Sequence, residues 1–204
     1  MKRRKEEEKM GKRYAFVIHM DRCIGCSACT LACKSYYRLQ PGMVRRRVKE
    51  MPETITGAPT RAYLSTACNH CDDPACKKAC PVGAYSKRED GIVVHHQDRC
   101  IGCKMCIKAC PYGVPQFDPV KKKADKCSLC FERLDKGELP ICVLKCPMEA
   151  IEIVDMEKEN RGDLVDRVPG YADPSITHPS TRFVLPKTGL QFLQSNFQGG
   201  LNHE

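Results

Sequence analysis

The chain is 204 residues long, enough for one domain or two small ones, and carries 16 cysteines, roughly 8 % of its length and several times ordinary usage. Trp is absent, and only 6 Phe and 7 Tyr stand beside 14 Gly and 14 Pro, which excludes a large aromatic core as the main support of the fold. The formal charge of +9 invites a nucleic-acid reading, but the basic clusters Lys2 to Lys5, Arg45-Arg46-Arg47 and Lys121-Lys122-Lys123 are not interleaved with the aromatics of a single-strand binder, and they read as solvated or partner-facing surface.

In chain order, residues 1 to 13 (MKRRKEEEKMGKR) form a charged extension. Its Arg3-Arg4 pair runs into Lys5 and Glu6 to Glu8 where an export signal needs an apolar stretch, so no signal peptide of its own is expected. No apolar run approaches the ~20 residues that cross a bilayer. Tyr14 to His19 predicts a strand leading into a first cysteine group, Cys23, Cys26, Cys29 and Cys33, spaced C-x2-C-x2-C-x3-C. Residues 34 to 60 are a basic, Pro/Gly-punctuated connection. The second group, Cys68, Cys71, Cys76 and Cys80, is spaced C-x2-C-x4-C-x3-C, and Ala84 to His95 then holds an Asp90-Gly91 turn between two strand-like runs, a hairpin signal. The third group, Cys100, Cys103, Cys106 and Cys110, repeats the first spacing 77 positions later. The fourth, Cys127, Cys130, Cys142 and Cys146, repeats the plan of the second with a longer middle gap. Ala150 to Val154 alternates apolar and charged residues as a half-buried strand does. Residues 156 to 204 are a polar tail with Pro169, Pro174, Pro179 and Pro186, expected to lie along another surface or stay mobile rather than to pack internally.

The repetition extends beyond cysteine: His19 to Cys33 aligns without gaps on His96 to Cys110 with 10 of 15 positions identical, which points to an internal duplication. Groups two and four both place Pro two residues before the third Cys (Pro74, Pro140) and directly after the fourth (Pro81, Pro147).

A C-x2-C-x2-C run bends three thiolates around one point, and a fourth Cys three residues on, followed by Pro, is carried away to serve a second cluster, as in two-cluster ferredoxins. Group three has that Pro at 111; group one has Lys34 in its place. Structural zinc needs pairs of C-x2-C and gains nothing from a third Cys at a two-residue gap, while cysteines this close seldom bridge well as disulfides. Sixteen thiolates therefore predict four [4Fe-4S] cubanes. With about −2 for each oxidised cubane and its thiolates, the holoprotein sits near +1, and the nucleic-acid argument disappears. The spacings leave the pairing open: groups two and three can form one dicluster unit inside another made by groups one and four, or neighbouring groups can pair in sequence.

Weaker features accompany the cysteines. Arg22 and Arg99, each just before a first Cys, either raise cluster potentials or are ordinary surface arginines. His70, between Cys68 and Cys71, reads as a loop residue near the site rather than a ligand. Gly25 and Gly102 occupy equivalent loop positions where the backbone must curl tightly. Ile24 and Ile101 either shield a cluster from water or belong to the core. No P-loop, no G-x-G-x-x-G after a strand and no nucleophile-base set is present, so no catalytic residue is expected.

The stretches DRCIGCSACTLACK, CNHCDDPACKKACPVGAYSKREDGIVV, DRCIGCKMCIKACPYGVPQF and KCSLCFERLDKGELPICVLKCP resemble the four-cluster ferredoxin-type electron-transfer subunits of molybdopterin oxidoreductases, the iron-sulfur B subunits of dimethyl sulfoxide reductase type above all. The resemblance covers roughly residues 13 to 185; the charged extension and residues 187 to 204 depart from it. It implies an α+β fold of two ferredoxin-like dicluster domains related by duplication, with small antiparallel hairpins and short helices around four cubanes and an extended C-terminal tail. Its domains would be 14–60 plus 119–155 (outer), 61–118 (inserted) and 156–204 (partner-binding tail). It implies one cluster on Cys23, Cys26, Cys29 and Cys146, a second on Cys33, Cys127, Cys130 and Cys142, a third on Cys68, Cys71, Cys76 and Cys110, and a fourth on Cys80, Cys100, Cys103 and Cys106. The implied role is non-catalytic relay of electrons between an integral membrane anchor subunit that oxidises quinol and a molybdopterin catalytic subunit. The protein would then be peripheral and membrane-associated only through partners. Related B subunits serve thiosulfate, polysulfide, arsenate and formate enzymes, and a free polyferredoxin or a metal-stapled structural protein are the other classes that the residues allow.

Overall fold

The computed structural model describes residues 12–51 and 61–186. Most of the charged extension, residues 52–60 of the basic connection and residues 187–204 of the tail lie outside the described residues.

The apolar run of β1 (Tyr14–His19) is buried on both faces, as a central strand requires. Its neighbours are β8 (Ile151–Asp155), antiparallel, and β10 (Arg182–Val184), parallel; β9 (Leu164–Val165) closes the sheet on β10. Around this four-stranded sheet sit three hairpins: β2 (Arg47–Met51) with β3 (Ala62–Thr66), β4 (Tyr85–Lys87) with β5 (Val93–His95), and β6 (Gln116–Asp118) with β7 (Lys123–Asp125). The expected strands at 14–19 and 150–154 and the Asp90-Gly91 hairpin are all present. Five short helices complete the fold: α1 (Ala28–Tyr36), α2 (Ala75–Lys78), α3 (Met105–Ala109), α4 (Phe131–Leu134) and α5 (Ile141–Leu144). All five are too short to stand alone in water and take their stability from what they pack on.

One expectation is corrected. The tail was expected not to pack internally, yet β10 lies against β1, and Val168, Phe183 and Leu185 are buried in the main core. A three-residue strand needs no core of its own when an existing sheet offers an open edge. The buried polar residues before it are satisfied by the loop around Cys68: Ser180 N donates to Asn69 O at 3.0 Å, Ser180 Oγ to His70 O at 3.0 Å, and Asp73 N to Thr177 O at 3.1 Å. The expected boundaries at 60/61 and 118/119 each fall inside a hairpin, β2–β3 and β6–β7, whose strands are joined by ladder hydrogen bonds. Composition marked the connection as basic and polar, but Arg46 inside it is buried.

Phe183, 2 % exposed and edge-to-face with Tyr171 at 6.0 Å, is the largest apolar group that the tail inserts. Phe183→Ala should destabilise the protein by about 3 kcal/mol or more, the usual cost of emptying a buried phenylalanine site. A urea titration of the iron-replete protein measures this, and an unshifted midpoint would contradict the packing role.

Candidate metal-cluster sites

The thiols are positioned by tight left-handed turns followed by short helices. In group one Gly25 and Ser27 have φ of 75° and 58° and α1 follows; in group three Gly102 and Lys104 have 72° and 65° and α3 follows, the same pattern 77 residues on. Pro74 and Pro140 stand just before α2 and α5, where a missing N–H is harmless. Pro111 forces Cys110 into an extended conformation that ends α3 after five residues, whereas Lys34 lets α1 continue to Tyr36.

These elements bring thiols from distant parts of the sequence together. Cys23, Cys26, Cys29 and Cys146 line one cavity, with Ile24, Ser65 and Met148. Cys68, Cys71, Cys76 and Cys110 line another, with Tyr112, Lys126 and Thr177. Cys33 faces Cys127, Cys142 and Cys130, and burial first and these neighbours after it push its thiol up. Cys106 faces Cys100 and Cys103, and Cys80 and Cys100 pack against the small core that holds Cys106 and Tyr85. Backbone amides point at sulfur in several places: Ala84 N to Cys80 Sγ at 3.3 Å, Ala150 N to Cys146 Sγ at 3.2 Å, and Leu129 N to Cys127 Sγ at 3.4 Å.

Sequence comparisons bear on what these thiols hold. Residues 59–156 match the family model of the 4Fe-4S dicluster domain, and residues 20–37 match that of the 4Fe-4S binding domain. The chain is 44 % identical over 170 residues to the B subunit of the anaerobic dimethyl sulfoxide reductase of Escherichia coli, covering 78 % of this sequence and 83 % of that one. It belongs to the family of these iron-sulfur B subunits. It is also 39 % identical over 153 residues to the B subunit of the polysulfide reductase of Wolinella succinogenes, 72 % of this sequence and 78 % of that one. With the thiosulfate reductase electron transfer subunit of Salmonella typhi the figures are 39 % over 143 residues, 69 % and 74 %.

The residues of this B subunit fit [4Fe-4S] clusters. Burial, and after it the neighbouring thiolates, push Cys68 up to about 12 and Cys142 up to about 11 despite the opposing pull of Lys126 and Arg46, so a thiolate without iron is disfavoured at both. Metal binding supplies the compensating positive charge and displaces the protons. Among the described residues no three His, Cys, Asp or Glu converge closely enough for a single ion, and a cluster with one iron per thiolate does not ask them to.

The accessory residues divide differently from expectation. Arg22 and Arg99 are exposed surface arginines. The buried cations are instead Arg46 and Lys126, at 2 % and 4 % exposure, which nothing in the sequence distinguished from their basic neighbours. Lys126 Nζ donates to Cys127 O at 2.9 Å and faces Cys68 and Cys76. His70 is buried and neutral, held far below its ordinary pKa first by burial and then by Lys126 and Lys87; its Nδ1 accepts from Val93 N at 3.0 Å, which is a loop-fastening role. Ile24 and Ile101 are exposed, not core, and Ile24 borders the Cys23 cavity. Tyr37 and Tyr85 were missed: Tyr37 packs beside Cys33 and Cys130 and bonds Ser128 Oγ at 3.1 Å, and Tyr85 packs beside Cys76 and Cys106. An aromatic several residues from a cysteine carries no spacing signal.

Proposed function

We propose that this protein is the electron-transfer subunit of an anaerobic reductase complex of dimethyl sulfoxide reductase type, joining a quinol-oxidising membrane anchor subunit to a molybdopterin catalytic subunit. Four [4Fe-4S] clusters on the four thiol sets supply one-electron redox chemistry along the subunit. The residues assigned to the clusters are Cys23, Cys26, Cys29 and Cys146; Cys33, Cys127, Cys130 and Cys142; Cys68, Cys71, Cys76 and Cys110; and Cys80, Cys100, Cys103 and Cys106. The observation that carries this reading is the meeting of Cys146 with Cys23, Cys26 and Cys29 in one cavity. Cys146 of the fourth group thus lies with the first run, and Cys110 of the third group with Cys68, Cys71 and Cys76, which favours the nested pairing over pairing in sequence. The matching turns at Gly25 and Gly102, and the matching Pro-led helices α2 and α5, support an origin by duplication.

The protein's own residues bind, orient and shield. Cys26 and Cys103 are the exposed thiols of their sets, and equivalent positions in the repeat suit them to face two different partners. Among the described residues no helix is long and apolar enough to cross a membrane, so membrane attachment falls to the anchor. With all sixteen thiols used as ligands, no iron has a position free for a sulfoxide, and substrate chemistry lies on the catalytic subunit.

Replacing either Cys29 or Cys146 by Ser should perturb the same paramagnetic centre, and replacing Cys130 a different one, as read by electron paramagnetic resonance of the reduced protein. If Cys146 tracked with Cys130 the assignment would be wrong. The isolated subunit with full iron should reduce no sulfoxide with an artificial donor, while the complex does; turnover by the subunit alone would overturn the functional reading.

A further inference from the structure

Arg46 faces thiols of two of the sets and, among the described residues, has no carboxylate counter-ion. Its guanidinium is fully buried, and among the described residues no carboxylate pairs with it. Nη1 donates to Ser65 Oγ at 3.0 Å and more weakly to Ser65 O at 3.4 Å; among the described residues Nε and Nη2 have no hydrogen-bond partner. The Phe16 ring covers one face, 4.5 Å from Cζ to the ring centroid. A buried cation left this way is costly unless negative charge stands nearby. Adjacent Arg45 shows the contrast, since its Nε meets Asp125 Oδ2 at 2.7 Å.

The negative charge that Arg46 faces is sulfur. Burial works against its positive charge, and Cys142, Cys29, Cys127 and Cys33 act in its favour. Cys29 belongs to one proposed cluster and the other three to its neighbour. Ser65 links the guanidinium to the first of these, with Oγ 3.6 Å from Cys29 Sγ. An electron added to either cluster increases its negative charge, so a fixed cation between them stabilises both reduced forms in a medium that screens poorly.

Resting on the cluster assignment above, we infer that Arg46, seated by Ser65, is the cation that raises the reduction potentials of the two clusters on either side of it. It is a positioning residue for charge and not a ligand.

The test is a redox titration monitored by electron paramagnetic resonance on the full-length protein, after iron and sulfide analysis, with signals assigned by the Cys29, Cys146 and Cys130 variants. Arg46→Met should shift the oxidised-to-reduced ratio of both flanking clusters at least tenfold, about 59 mV downward for one electron, and leave the other two in place. Arg46→Lys, which keeps the charge, should stay within a few-fold of the wild type. Unmoved potentials in an iron-replete Arg46→Met protein would overturn the inference, as would an equal shift of all four. If Arg46→Met fails to hold iron, Ser65→Ala decides: it should lower the potential of the Cys29 cluster with a smaller change at its neighbour, and four unchanged potentials would overturn the inference. A wild-type protein without about sixteen irons would sink the cluster assignment itself, a different failure that iron analysis identifies before any variant is titrated.

Discussion

Anaerobic chelation of iron is expected to unfold the protein cooperatively, starting from a polypeptide that holds about 16 iron and 16 acid-labile sulfide. Cys29, Cys68, Cys127 and Cys142 are members of the main core, Cys76 and Cys106 of the second, and Cys33 and Cys130 of the third, so sulfur is built into every core, beside large apolar side chains in the main one and with few of them in the two smaller ones. Among the described residues the longest helix has 9 residues and the three hairpins stand as two-stranded sheets, elements that are marginal by themselves. One structural metal site in a small domain is worth about 10 to 16 kcal/mol, as much as the whole stability of an ordinary domain. Losing four such sites leaves nothing comparable in their place. Far-ultraviolet circular dichroism and amide hydrogen exchange during chelation measure the outcome; native spectra and protection at less than one iron per polypeptide would show that the apolar contacts suffice.

The second large effect is expected from Gly102→Ala. Gly102 sits at φ 72°, and a Cβ there would stand 2.3 Å from the backbone carbonyl oxygen of Lys122, a contact that no side-chain rotation relieves. The left-handed conformation alone costs a residue with a Cβ about 1 kcal/mol or more, and the clash must move either the Cys100–Cys103 loop or the β6–β7 turn. We expect loss of about four irons, one cluster's worth, together with a clearly lowered melting temperature. Gly25→Ala is the control. Its Cβ would meet the Tyr63 ring at 2.5 Å, and an aromatic ring at a partly buried site can swing aside, so its iron loss should be smaller. Full iron and an unchanged melt in Gly102→Ala would mean that the loop is more pliant than its contacts indicate.

What the sequence by itself determined is local. Three thiols within seven residues, with Gly25 or Gly102 between the first two, specify a curled loop whatever surrounds it, because every distance involved is set by a few consecutive dihedrals. The same holds for the strand at Tyr14–His19, read from an unbroken apolar run, and for the β4–β5 hairpin, read from Asp90-Gly91. The two orders of thiol pairing were equally consistent with the spacings, and family resemblance alone separated them. Only the tertiary structure brings Cys146 beside Cys23, Cys26 and Cys29 and Cys33 beside Cys127, Cys142 and Cys130, where α1 and α5 pack on each other from segments over a hundred residues apart. It also decided the place of β10, whose three residues become a strand only because β1 offers unsatisfied backbone groups to pair with. Last, it separated Arg46 from Arg45 and Arg47. In the sequence the three are one basic cluster, and only the closure of β2 on β3 seals the middle one beside thiols of two sets while its neighbours keep carboxylate or solvent. Burial is a property of the whole polypeptide's path, so no window of residues around position 46 contains it.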